Sequence, residues 1–123
     1  MRVLIVVKDR NLASLWARHL ERLRAEVFVA YSQEDAIETL CEVNVDIIIL
    51  NTCLEKTDSP MAVADFAGYR QPNARIIFVS NARFFSDGSL FQHFTNACAM
   101  MPAQTPPEDL AALVEYHALR GAA

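Results

Sequence analysis

Polar side chains follow the apolar runs of this sequence, and these are the residues that could do chemistry. Asp9 comes shortly after the first run, Asn51 ends the run Val45–Asn51, and Ser80 ends a later one. In open α/β sheets, ligands and reactions collect at the carboxyl ends of the strands, where loops are exposed and backbone groups are free. Because Asn51 ends the most apolar run, we expect the candidate site to lie around it.

Five short apolar runs predict the strands that position these residues. The run that ends at Asn51 is rich in isoleucine and too short to cross a membrane, which is typical of a strand buried on both faces of a parallel sheet. The predicted strands are Arg2–Val7, Glu26–Ala30, Val45–Asn51, Arg75–Ser80 and Ala97–Met101.

Helices are predicted in the segments between these strands. Ser32 and Ser59 have the placement of N-caps, and Pro60 would open the third helix, Met61–Tyr69. The first helix has an apolar face made of Leu12, Leu15, Trp16, His19, Leu20 and Leu23. The inner face of the second helix is predicted to be Ala36, Ile37, Leu40 and Cys41.

The ends of the later helices follow from glycine and proline. Gly68 and Pro72 are expected to close the third helix, and Gly121 to stop the last one, which opens at Thr105. A short fourth helix is predicted over Ser89–Asn96. Strands that alternate with helices at these spacings predict one doubly wound α/β domain over residues 1–123, with a five-stranded parallel sheet between two helical layers and no output domain.

Composition excludes several classes of protein. The chain has 123 residues and a formal net charge of −4, which argues against binding to nucleic acid through its phosphate backbone. No run approaches the roughly 20 apolar residues of a membrane span, and no signal-peptide pattern begins the chain. Cys41, Cys53 and Cys98 are odd in number and lack metal-ligand spacing, so we expect buried, reduced thiols in a cytoplasmic protein.

The order of the predicted elements, the length and several strand-end residues together resemble the receiver domain of two-component response regulators, a flavodoxin-like fold. The resemblance covers essentially the whole chain. It rests on RVLIVVKD at the first strand, VDIIILN with the following TCLEKTDS at the third, IIFVSNA at the fourth and AMMP at the fifth.

The resemblance implies which positions would form the family's reaction site. In receiver domains an acidic pair after the first strand holds Mg²⁺, and an aspartate that ends the third strand accepts a phosphoryl group. The acidic pair corresponds to Val7 and Lys8 here, with Asp9 just outside it, and the phosphoacceptor corresponds to Asn51.

Three further family positions lie on the fourth and fifth strands. The hydroxyl that ends the fourth strand is retained as Ser80. The lysine that ends the fifth strand corresponds to Met101, and Pro102 after it is kept. The aromatic switch residue of the fifth strand corresponds to Cys98.

These substitutions remove the family's chemistry group by group. An amide is a poor nucleophile, so Asn51 should not be phosphorylated. Mg²⁺ prefers carboxylates and water, which Val7 and Lys8 do not supply. A lysine ammonium about 4 Å from a divalent ion would cost roughly 8 kcal/mol at an effective dielectric constant of about 20. We therefore expect no metal, no cofactor and no enzymatic activity.

Lys8 and Ser80 each leave two arrangements open. Lys8 could occupy the vacated metal position and hydrogen-bond to Asn51 or Asp9, or it could extend into solvent. Ser80 could act as a switch hydroxyl, or it could cap the turn that follows its strand.

The resemblance therefore indicates a phosphorylation-independent protein-interaction module in bacterial two-component signalling. Its partners would be a sensor kinase or a downstream regulator, and possible self-association would use the face of the fourth helix, fifth strand and fifth helix. Candidate residues of that face are Phe84, Phe85, Leu90, Phe91, Phe94 and Cys98. The phenylalanine cluster exceeds what one short helix normally buries, although it could instead fill the core.

Two other functions remain as alternatives. A displaced carboxylate, Asp9 or Asp58, could accept the phosphoryl group. A small flavodoxin-type ligand-binding protein is the other alternative, but Gly68, Gly88 and Gly121 do not follow strands directly, so a glycine-rich phosphate loop is missing.

Overall fold

Five parallel strands form one sheet at the centre of the molecule. The computed structural model describes residues 1–54, 57–80, 96–102 and 104–121. The strands, in chain order β1 to β5, are Arg2–Val6, Glu26–Ala30, Ile47–Asn51, Arg75–Val79 and Ala97–Met101. Their order in the sheet is β2-β1-β3-β4-β5. This is the strand order of flavodoxin-like folds, and it confirms the predicted fold class.

Four helices of the described chain cover the two faces of this sheet. They are α1 (Arg10–Glu21), α2 (Gln33–Glu42), α3 (Pro60–Arg70) and α4 (Pro107–Gly121), the last being the helix predicted as the fifth. Ser32 and Ser59 are the N-caps of α2 and α3, as predicted, and Pro60 occupies the first turn of α3. Among the described residues, no helix is long and apolar enough to cross a bilayer.

The core has two halves, one on each side of the sheet. Trp16 of α1 and Val114 of α4 pack with Ile49 on one side, whereas Leu40 of α2 and Val63 of α3 pack with Ile48 on the other. Successive side chains of a strand point to opposite faces, so adjacent isoleucines of β3 serve different halves. This explains why β3 is buried along its whole length.

Strand and helix ends differ in places from the predicted ones. β1 ends at Val6, β3 begins at Ile47 and β4 ends at Val79. Each of these three strands is one or two residues shorter than expected. The expectation that Gly68 helps to close α3 was wrong, because this helix continues to Arg70 and is capped by Gln71. A single glycine costs a helix only about 1 kcal/mol relative to alanine, which tertiary contacts can offset.

Two residues assigned to inner helix faces are exposed. Leu15 of α1 is 37% exposed, and Cys41 of α2 is also on the surface. Cys53 is exposed as well, so the expectation of buried thiols was wrong for both Cys41 and Cys53, and Cys98 is only half-buried. The apolar surface that α1 and α2 bury against the sheet is therefore narrower than the spacing of their apolar residues indicated.

The predicted fourth helix and its aromatic cluster fall largely on residues 81–95, which lie outside the described residues. Phe84, Phe85, Leu90, Phe91 and Phe94 therefore remain candidates on sequence grounds alone.

A buried amide joins α2, α3 and β3. The Gln71 side chain, after α3, accepts a hydrogen bond from the Val45 N–H at 2.8 Å through Oε1. Its Nε2 donates to the carbonyl oxygens of Leu40 at 2.8 Å and Val43 at 2.7 Å. Gln71 thereby satisfies backbone groups where α2 ends and the chain turns towards β3, groups that water cannot easily reach.

We expect Gln71→Ala to destabilise the fold by about 2–4 kcal/mol, since it leaves a buried N–H and two carbonyls without their partner. Urea unfolding followed by circular dichroism measures this loss. Asn73→Ala, at an exposed position of the next turn, is the control and should change stability by less than about 0.5 kcal/mol. Equal stability of the two variants would show that the Gln71 bridge is dispensable.

Candidate functional site

The carboxyl edge of the sheet brings together the strand-end residues that the sequence singled out. Val7 follows β1, Asn51 ends β3, Ser80 follows β4 and Met101 ends β5. β1 and β4 flank β3 directly, so Asn51 occupies the centre of this edge. The hydrogen bond from the Ser80 N–H to the Met101 carbonyl, 3.0 Å, continues the pairing of β4 with β5 past the end of β4.

Asn51 is held in a local turn. Its side chain is 6% exposed, and Oδ1 accepts a hydrogen bond from the Cys53 N–H at 2.7 Å. This two-residue reach is the Asx-turn that asparagine and aspartate commonly form. The backbone of the following loop therefore uses one of the two acceptor lone pairs of this amide oxygen.

Hydroxyl groups join the ends of β3 and β4. The Thr52 Oγ1–H donates to Ser80 Oγ at 2.7 Å, and the Thr52 N–H donates to the Val79 carbonyl at 3.0 Å. The prediction had named Ser80 and missed Thr52. Thr52 directly follows β3, which pairs with β4. This placement was the sequence signal that could have identified the Thr52–Ser80 pair.

The two positions after β1 offer a metal ion no suitable ligand atoms from their side chains. Val7 is 1% exposed and aliphatic, and its N–H donates to the Ala30 carbonyl at 3.1 Å. Lys8 is exposed. Within the described ranges, Lys8 forms no hydrogen bond to Asn51 or Asp9, so the first of the two arrangements left open for Lys8, a contact in the vacated metal position, is not formed. Lys8 instead takes the solvent-facing arrangement that was the alternative.

Asp9 is used to begin a helix. Its Oδ1 accepts hydrogen bonds from the N–H groups of Asn11 at 2.9 Å and Leu12 at 3.2 Å, which makes Asp9 the N-cap of α1. A carboxylate at this position satisfies free N–H groups and lies at the positive end of the helix dipole. Beside it, the Arg10 guanidinium lies 4.0 Å from the centre of the Tyr31 ring.

Asp58 takes part in a second capping arrangement that the sequence did not reveal. Its Oδ2 accepts the Gln33 N–H at 3.2 Å, at the start of α2. In return, Gln33 Oε1 accepts the Ser59 N–H at 2.7 Å, at the start of α3. This reciprocal pair fixes the end of the loop after β3 against α2.

The donor set of this edge does not fit a divalent cation. Over the ranges 1–54, 57–80, 96–102 and 104–121, no three histidine, cysteine or acidic side chains come together as a metal-binding group. Asp9, the carboxylate that follows β1, accepts hydrogen bonds from helix N–H groups. The polar groups at this edge form hydrogen bonds with one another, and these bonds hold the strand ends together.

Cys98 lies on β5 away from this edge, near the start of the strand. Burial raises the pKa of its thiol from 9.0 to about 11, although the positive charge of Arg75 and a backbone hydrogen bond oppose the shift. The folded protein therefore disfavours the Cys98 thiolate, which makes this thiol a poor nucleophile at neutral pH.

Solved structures resemble this chain closely in architecture. No protein-family model matches it, and no curated protein sequence does. A CheY-like receiver domain protein from Methanospirillum hungatei JF-1 superposes with a TM-score of 0.88 at 17% identity, covering 98% of this chain and 94% of that one. The signal receiver domain of a LuxO repressor protein from Vibrio parahaemolyticus gives 0.86 at 21% identity, covering 98% and 91%.

A third similar structure is a complex with Mg²⁺ and BeF. The response regulator TrrA from Thermotoga maritima, in complex with Mg²⁺ and BeF, gives a TM-score of 0.80 at 20% identity and covers 94% of this chain and 97% of that one. At these identities the likeness establishes the fold. The chain has the CheY-like receiver fold, which confirms the resemblance at the level of architecture.

We expect the Cys98 thiol to react with iodoacetamide about tenfold more slowly in the folded protein than in the urea-unfolded chain at pH 8. A pKa raised from 9.0 to about 11 leaves about 100-fold less thiolate, and the greater nucleophilicity of the more basic thiolate recovers about tenfold. The measurement uses the variant C41S/C53S, whose only thiol is Cys98, and mass spectrometry. Equal rates in the two states would contradict the raised pKa.

Proposed function

We propose that this chain is an atypical receiver domain of bacterial two-component signalling that acts through protein contacts and is not itself phosphorylated. The observation that carries the proposal is Asn51, an amide at the end of the central strand whose Oδ1 already accepts the Cys53 N–H at 2.7 Å. A phosphoryl acceptor at this point would need a free carboxylate oxygen as nucleophile. An amide oxygen does not form an acyl phosphate.

The surroundings of Asn51 support the same proposal. Phosphoryl transfer to a carboxylate requires charge neutralisation by a metal ion or by cationic side chains. Val7 is an aliphatic side chain, Met101 carries no charge, and Lys8 would repel a divalent cation. On this proposal the chain therefore lacks the phosphoacceptor, the metal ligands and the lysine together.

Displaced carboxylates are poor substitutes because both are already used. Asp9 would have to release the N–H groups of Asn11 and Leu12, and Asp58 would have to release that of Gln33. Loss of an N-cap typically costs about 1 kcal/mol. A phosphorylated Asp9 or Asp58 would thus weaken the start of α1 or α2.

A receiver fold without phosphotransfer still offers surfaces to other proteins. We propose that a sensor kinase or a downstream regulator binds it in the cytoplasm, and that the face around β5 and the predicted fourth helix contributes to that contact. The Thr52–Ser80 hydrogen bond supports a permanently held conformation, because it engages the Ser80 hydroxyl within the protein. No catalytic activity and no cofactor form part of this proposal.

We expect the wild-type chain to take up no label from radioactive acetyl phosphate in the presence of Mg²⁺, matching an Asn51→Ala control. The double variant Lys8→Asp/Asn51→Asp, which supplies two carboxylates to the edge, should gain a label that hydroxylamine releases, as an acyl phosphate requires.

Labelling of the wild-type chain that disappears in Asp9→Asn or Asp58→Asn would overturn the proposal and establish a displaced phosphoacceptor. Circular dichroism of each variant distinguishes lost labelling from lost structure.

A further inference from the structure

A cavity of about 330 Å³ lies at the amino edge of the sheet, opposite the edge that carries Asn51. One wall consists of residues 72–74 and Arg75, the first residue of β4, and the other consists of residues 96–98, where β5 begins. From Arg75 to the end of β4 the chain rises about 13 Å, at about 3.3 Å per residue. This amino-edge cavity is therefore separate from the candidate site at the carboxyl edge.

The amino-edge cavity contains one positive charge. Among the described residues that line it, Arg75 is the only charged one. Its side chain is half-buried, and its backbone N–H donates to the Asp46 carbonyl at 3.0 Å. In the part of the chain that the structure describes, the Arg75 guanidinium has no ion-pair or hydrogen-bond partner. A guanidinium has five N–H donors in a planar fork, so these donors remain for a ligand.

Asn96, in the opposite wall, has a buried donor. Its Nδ2 has no hydrogen-bond partner among the described residues. The amide lies over α3, since a Cβ at Gly68 would be 3.8 Å from its Oδ1 and 3.9 Å from its Nδ2. A buried polar atom without a partner is rare in native structures and points to a ligand, an ion or water. We expect a ligand oxygen in the cavity to accept this N–H after a rotation about χ2, a soft torsion in asparagine.

An irregularity in the pairing of β4 with β5 shapes the same wall. Successive residues of β4 pair with Ala97 and Ala99, so Cys98 between them has no counterpart. Cys98 and Ala99 are neighbours in the chain, yet both pack against the same half of the core. β-bulges redirect side chains in this way and are frequent beside functional sites. Here the bulge places Cys98 in the lining of the amino-edge cavity.

We propose that the amino-edge cavity binds a small carboxylate, whose oxygens accept hydrogen bonds from the Arg75 guanidinium and whose carbon chain lies against Ala74 and Ala97. Arginine and carboxylate form two parallel N–H···O bonds, which are stronger than bonds between neutral groups. A cavity of about 330 Å³ is at the lower end of the size range of ligand sites, so it suits a chain of a few carbon atoms.

The charge of the amino-edge cavity favours a carboxylate over a phosphate. A phosphate group carries more than one negative charge at neutral pH, and it is typically bound by several cationic groups or by a helix N-terminus. The described helices begin at the opposite edge, after the carboxyl ends of the strands. Cys98 adds no negative charge, because burial raises the pKa of its thiol to about 11. One guanidinium therefore matches the single charge of a carboxylate.

An amide NMR titration of the chain with sodium butyrate, at pH 7 and constant ionic strength, tests the proposal. We expect saturable shifts at Asn73, Arg75, Ala97 and Cys98. The dissociation constant should lie between about 1 and 10 mM, as the few non-hydrogen atoms of butyrate allow. Two further probes separate the contributions to binding. n-Butanol, which keeps the carbon chain without the carboxylate, and inorganic phosphate should each bind at least tenfold more weakly.

Arg75→Gln should raise the dissociation constant for butyrate at least tenfold, because it removes both the charge and the planar fork. The matched control is Arg70→Gln, which removes the same charge from an exposed arginine outside the lining of this cavity. It should leave the dissociation constant within about twofold of wild type. Thermal unfolding of the two variants checks that both are folded.

The Cys98 thiol reports where butyrate binds. In the C41S/C53S variant, butyrate at ten times its dissociation constant should slow the alkylation of Cys98 by iodoacetamide about tenfold, because about one molecule in eleven stays unoccupied. An unchanged alkylation rate would overturn the proposal, as would the absence of saturable shifts up to 100 mM butyrate. Equal binding by Arg75→Gln, or phosphate or n-butanol binding as tightly as butyrate, would also overturn it. None of these results depends on whether the chain is phosphorylated.

Discussion

The burial of β3 on both faces is the constraint on which the rest of this structure depends. A parallel strand without solvent on either side needs a layer of helices above and another below, and the crossover connections supply them. Every strand then points the same way, so all five carboxyl ends meet at one edge. The side chains that end the strands are brought together there by topology, whatever chemistry they carry.

At that edge, polar groups of the protein bond to one another, and two of them, Asn51 and Ser80, are buried. Asn51 accepts the N–H of Cys53, Thr52 donates to Ser80, and Asp9 caps α1. A buried polar group without a partner costs about 1–3 kcal/mol, so the bonds of the buried Asn51 and Ser80 are a structural requirement as much as a functional feature. An edge that uses its oxygens in this way retains the receiver architecture while offering little to a metal ion or a phosphoryl group.

Patterns local in sequence predicted most of the architecture. The isoleucine run of β3 and the caps Ser32 and Ser59 were recognisable because they depend on neighbouring residues alone. The exposure of Leu15 was not, since it depends on the rotation of α1 against α4. Gln71, which bonds to residues about 26–31 positions earlier in the chain, gave no local signal. Around the site, the positions were predictable, but the hydrogen bonds of Asn51 and Thr52 and the solvent-facing arrangement of Lys8 required the folded arrangement.

The most direct test of the account is an amide NMR titration of the chain with Mg²⁺, followed by beryllofluoride, which mimics an aspartyl phosphate. The account predicts unchanged amide shifts for Asp9, Asn51 and Ser80, because the edge has neither the carboxylates that hold Mg²⁺ nor the aspartate that binds beryllofluoride. Saturable shifts centred on these three residues would contradict it and would show that an ion site survives at the carboxyl edge.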